Sequence, residues 1–204
     1  MEYLTTCYRR QEEGGCSLLL QQYLCRRVPV CFACLCTAGG EACRGICRNT
    51  AESLLNWSRK VSWHKAAARP ASWMERLEGE LTDLLEKTGA TACDEMKLTL
   101  FLGIEEEILV LGGGQNLRLL STSFGRGKTA RLPGQFRGRL ETGAGLLLAT
   151  DGFLKNVEGK SLEEVLRLQE IKTAEQAERR IRELVLRGKT AGGDPTAAIL
   201  LVGR

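Results

Sequence analysis

The 204-residue chain is long enough for one domain with a sizeable core, and its 43% hydrophobic and 26% charged residues are ordinary globular usage. A net charge of +4 permits an anionic partner but is too small to require nucleic acid. No basic start leads into an apolar signal core, and the apolar runs fall far short of the roughly 20 residues of a membrane span. A soluble, cytoplasmic protein without a membrane or nucleic-acid partner is expected; the oligomeric state is not legible.

Cysteine is abundant, with nine in the chain and only Cys93 lying beyond Cys47. An odd count without a secretory signal argues against a disulfide framework and for reduced thiols in the core. Cys31, Cys34 and Cys36, with Cys43 and Cys47 after them, have the look of zinc ligands. The first three, however, lie in VCFACLC, which reads as a buried strand whose alternate side chains point to opposite faces and do not converge on one ion.

In chain order, residues 3 to 10 and 16 to 24 read as strands joined through the polar turn Gln11-Glu12-Glu13-Gly14-Gly15, and Val28 to Cys36 as a third. A helix starts at Glu41, its apolar face made by Cys43, Ile46, Cys47, Leu54, Trp57 and Val61. Residues 62 to 70 read as a connector whose histidine, His64, is solvated. A second helix follows Pro70, with Trp73, Leu77, Leu81, Leu84 and Leu85 inward and Gly89 past its end.

The middle of the chain reads as a meander: Met96 to Leu102, Ile108 to Leu111 and Leu117 to Leu120. Gly112-Gly113-Gly114 is expected to be a hairpin turn, because a phosphate cradle would continue into Gly-Lys-Ser/Thr and a helix. Between Gly125 and Arg139, Arg126, Lys128, Arg131, Arg137 and Arg139 occur without an acid, either as a solvated loop or as a contact for an anionic or phosphorylated partner. Leu146, Leu147 and Leu148 form a buried strand ending at Thr150-Asp151-Gly152. Two helices with capping boxes, Ser161 with Glu164 and Thr173 with Gln176, come next. The second buries Ala177, Ile181, Leu184 and Val185 and stops at Gly188. Asp194-Pro195 leads into a last strand, Thr196 to Val202. This tally predicts an α+β fold of two packed antiparallel sheets covered by helices.

The acids fall in related places. Glu12 or Glu13 lies in the first turn, Asp151 at the end of an apolar strand, and Asp194 just before the last strand. Oxygen ligands from strand ends suit magnesium or manganese.

This order of motifs resembles the type 2C, or PPM-type, metal-dependent serine/threonine phosphatases over essentially the whole chain, residues 1 to 204, read as a single domain. The residues that carry the resemblance are Glu12-Glu13, Cys36-Thr37-Ala38-Gly39-Gly40, Gly89-Ala90-Thr91-Ala92, Thr150-Asp151-Gly152 and Asp194-Pro195-Thr196. The resemblance implies a β-sandwich of two antiparallel sheets flanked by helix pairs, a four-layer αββα arrangement. It also implies Glu12, Glu13, Asp151 and Asp194 as manganese or magnesium ligands, and Arg9 or Arg10 near a bound phosphate, with Asp151 central to catalysis. It places Cys36 where the family has the aspartate that bridges two metal ions, and a thiol is a poor replacement for a carboxylate on magnesium. Loss of one carboxylate ligand would lower the rate on the order of a thousandfold. The expectation is therefore a divergent domain with impaired or lost catalysis that binds a phosphoprotein or signalling partner; the alternative is a weakly active manganese- or magnesium-dependent phosphatase.

Overall fold

Alternation along each strand sends successive side chains to opposite faces, and here both faces of the central strands are apolar, so each sheet must be covered twice. The computed structural model describes residues 2–9, 16–113, 116–121, 128–131, 135–155, 166, 168–187 and 197–203. In chain order the elements are β1 (Tyr3–Arg9), β2 (Cys16–Cys25), β3 (Val28–Ala38), α1 (Glu41–Lys60), α2 (Trp63–Ala68), α3 (Pro70–Lys87), β4 (Met96–Ile104) and β5 (Glu107–Gly113). They continue with β6 (Asn116–Ser121), β7 (Lys128–Arg131), β8 (Phe136–Arg139), β9 (Gly145–Ala149), α4 (Asp151–Lys155), α5 (Ala174–Arg187) and β10 (Ala197–Gly203).

The strands form two five-stranded sheets, a first in the order β1-β10-β9-β6-β7 and a second in the order β2-β3-β4-β5-β8. Every pairing is antiparallel. Between the sheets, Leu35, Phe101, Val110, Leu146, Leu148, Ile199 and Leu201 make one core. The alternate residues look outward. Phe32, Cys34, Leu100 and Leu102 meet Leu54, Met74, Leu77 and Leu81 of α1 and α3. On the other side, Leu147, Leu200 and Val202 meet Phe153, Ala177 and Ile181. Burial of each Leu, Ile, Val, Phe or Met side chain among these contributes about 1.5–3 kcal/mol, and the result is the expected sandwich with helices outside both sheets.

Local chemistry explains the helix ends. Thr173 and Gln176 form the predicted capping box: the Gln176 amide donates to Thr173 Oγ1 at 3.3 Å, and the Lys172 amide donates to Gln176 Oε1 at 2.6 Å. Gly89, just past α3, has φ +74°, where a Cβ would be strained. Ser161 and Glu164 lie outside the described residues.

Four expectations are corrected. Residues 63–68 form α2 and not a plain connector, because Trp63 is buried, donates from Nε1 to the Ser58 carbonyl at 2.8 Å and stacks on Tyr23 at 5.4 Å; His64 is exposed. The glycines after Leu111 do not close a hairpin, since β5 pairs with β4 and β8 in the second sheet while β6 lies in the first. The basic stretch contains strands β7 and β8, and Arg139 and Arg137 are engaged by Glu107 Oε1 at 2.8 Å and the Ala71 carbonyl at 2.7 Å. Finally, Cys43 and Cys93 form a disulfide across a Cα separation of 6.4 Å, because the start of α1 packs beside the turn that follows α3. The other seven cysteines are free thiols.

Candidate functional site

The site is built where β9 ends. β9 is buried along its length, and its last turn is fixed by Thr150, whose hydroxyl accepts from the Ala197 amide at 3.0 Å and from the Phe153 amide at 3.2 Å. Thr150 thereby caps α4 and ties β9 to β10. Asp151, the first residue of α4, is thus held at the end of the first sheet. β1 leaves the same end at Arg9, which is paired with Ala197. Arg9 is exposed, and its backbone lies about 10 Å from Thr150 at ordinary strand spacing.

Across the mouth of the sandwich stands the second sheet. Cys16, Thr37 and Lys97 are register partners on β2, β3 and β4, so they form one row on one face. Counting by twos from Leu35 and Phe101, which lie in the inter-sheet core, puts Thr37 and Lys97 on the face toward Asp151. Lys97 Nζ donates to Asp151 Oδ2 at 2.8 Å, with side-chain exposures of 49% and 44%, so the pair sits at a solvent-accessible mouth and not in the core.

Cys36 is turned the other way. It packs with Cys34, Cys47, Leu54 and Leu98 under α1, on the helix side of β3. A hydrogen bond to the Cys47 sulfur, together with burial, pushes the Cys36 thiol up, so it stays neutral. The Cys47 thiol is lowered to about 7, first by the hydrogen bond from Cys36 and further by Ser17. The placing of Cys36 at a metal-bridging position is therefore corrected: β3 continues to Ala38, and the period of two makes Thr37 the residue of that motif on the Asp151 side. Cys31 faces the other sheet while Cys34 and Cys36 face the helices, so these three do not converge on a zinc ion.

Of the acids and arginines singled out in the sequence, Asp151 and Arg9 share this end of the first sheet, while Arg10, Glu12, Glu13 and Asp194 lie outside the described residues. Among the described residues no three His, Cys, Asp or Glu side chains are arranged to hold a metal ion. Among the described residues, those brought to face Asp151 are the Thr37 hydroxyl and the Lys97 ammonium, and neither is a carboxylate oxygen of the kind that magnesium or manganese takes. Lys97 was the residue that sequence reasoning missed. Its signal was available: it is the one charge in Met96–Ile104, on the face shared with Thr99 and Phe101. Glu95 was missed as well; its carboxylate lies over the start of α1, and a Cβ on Gly40 would come within 2.5 Å of Glu95 Oε2.

No protein-family description matches the chain, and no curated protein sequence matches it. Solved structures do. PppA, a key regulatory component of the T6SS in Pseudomonas aeruginosa, superposes with a TM-score of 0.63 at 14% identity, over 100% of this chain and 99% of that one. The SiaA-PP2C domain of Pseudomonas aeruginosa gives 0.61 at 17% identity, over 99% and 85%. The catalytic domain of the serine/threonine phosphatase PstP, in complex with two manganese ions, gives 0.57 at 14% identity, over 98% and 97%. The chain spans 63% of the SpoIIE fragment from Bacillus subtilis, which carries part of a regulatory domain beside its PP2C phosphatase domain. These likenesses establish the type 2C phosphatase fold for this chain.

Proposed function

We propose that this domain is a type 2C phosphatase-like module with impaired or lost catalysis, which binds a phosphorylated protein or signalling partner in the cytoplasm. The observation that carries the reading is the Lys97–Asp151 ion pair at 2.8 Å, which occupies the carboxylate that the family resemblance would assign to a metal ion. Hydrolysis of a phosphomonoester by this route needs a metal-bound water and cations that offset charge on the phosphoryl oxygens. A carboxylate already neutralised by an ammonium, facing a threonine hydroxyl, is poorly suited to recruit them. The fold itself decides nothing here, because function resides in the side chains mounted on it.

The rival reading is a weakly active manganese- or magnesium-dependent serine/threonine phosphatase. In it, Glu12 or Glu13, Asp151 and Asp194 would hold the ion, and Arg9 or Arg10 the phosphate. Two measurements separate the readings. With a chromogenic phosphomonoester and manganese, the native protein and Asp151→Asn are expected to show the same background rate, while a phosphoserine peptide binds both the native protein and the variant. Turnover that Asp151→Asn lowers on the order of a thousandfold would establish the enzyme instead.

A further inference from the structure

We propose that the Lys97 ammonium is the resident cation of this cleft: a lysine fixed by the fold takes the place of an exchangeable divalent ion, and the domain closes its mouth without metal. The inference deepens the reading of the cleft given above and rests on it.

Three observations converge. The direction of Lys97 is set by its neighbours, since Met96 and Leu98 are both buried on the helix side of β4 and leave Lys97 only the side facing Asp151. The Nζ to Oδ2 distance of 2.8 Å is that of a charge-assisted hydrogen bond. Of the ion pairs between described residues, this one alone joins the second sheet to the element that ends the first, linking residues 54 apart in sequence. A divalent ion bound by Asp151 would have to sit beside the ammonium, and like charges at that separation repel. Beside Lys97, its register partner Thr37 is neutral and adds no negative charge to offset that repulsion. An ammonium of this kind cannot be removed by a chelator, so the state of the cleft is independent of metal supply.

The test is manganese binding by titration calorimetry to the native protein, Lys97→Arg and Lys97→Met, with no substrate present and folding checked by circular dichroism. The native protein and Lys97→Arg are expected to show no saturable binding into the millimolar range, and Lys97→Met to bind on the order of tenfold tighter or better. Equal binding by all three, or none by a folded Lys97→Met, overturns the proposal. Should Lys97→Met fail to fold, the native protein decides alone. Paramagnetic broadening by manganese of the amide signals of Thr150, Asp151 and Gly152 overturns the proposal, and their persistence upholds it. Neither readout involves turnover or peptide capture. A protein that captures phosphopeptide yet binds manganese at Asp151 sinks this inference alone, and one that excludes manganese without capturing peptide sinks only the earlier reading.

Discussion

Cys31 and Cys34 lie on opposite faces of β3, one in the inter-sheet core and one under the helices, and burial raises both thiols above their ordinary value of 9.0. In the unfolded chain these thiols ionise near pH 9, while in the native protein they remain protonated. The native state then binds more protons, so stability falls as pH rises above about 9, by about 1.4 kcal/mol per pH unit for each thiol. Cys47 works in the opposite sense, because its folded value is the lower one. Its contribution is lost as pH falls through about 7 and is complete above pH 9, so it leaves the alkaline slope unchanged. Urea denaturation at pH 9 and above is expected to show the decline, and the double replacement Cys31→Val and Cys34→Val to make it shallower, leaving the share of the Cys36 thiol. At the same scale, the sequence made Asp151 legible through its strand end but hid what faces it. Which face Cys36 or Thr37 takes depends on where β3 ends, and a strand extended by two residues beyond its apolar run carries Thr37, not Cys36, to the mouth.

Helix α1 is stapled to the turn that follows α3 through Cys43 and Cys93, which close a loop of 50 residues. Closing a loop of that length removes chain entropy from the unfolded state worth about 4 kcal/mol in the entropic account, with 2–4 kcal/mol the usual measured range. Cys93→Ala is expected to lower unfolding stability by about that amount in denaturant titrations, and reduction of the native protein to reproduce the loss. Equal stability with and without the bond would mean that α1 and α3 hold their places by packing alone, through Leu54, Leu77 and Leu81. The elements themselves were mostly readable: apolar stripes marked α1 and α3, alternation marked β4, and Thr173 with Gln176 marked the start of α5. The partners of the elements were not. Nothing local tells that β5 and β6 belong to different sheets. The β2–β3 hairpin turns through Arg26 and Arg27 at φ 53° and 71°, where the usual Asn-Gly signal is missing.

For the whole molecule, three apolar layers between four structural layers account for a fold shared with phosphatases at 11–17% identity. Such layers need only apolar side chains of about the right volume at alternating positions, so sequence drifts freely while the stack persists. The cleft enjoys no such freedom, since a single change of charge alters what it holds. No helix among the described residues is long and apolar enough to cross a membrane.

β1 and β10 are neighbours in the first sheet, with Tyr3 opposite Gly203 and Arg9 opposite Ala197. A mechanical load applied between residues 3 and 203 therefore meets that ladder at one end and peels it rung by rung. The same load between residues 9 and 203 would shear all seven pairs at once. Single-molecule pulling is expected to open the domain at lower force through the first pair of handles than through the second, so a tether on residues 3 and 203 would find the sandwich soft along one seam.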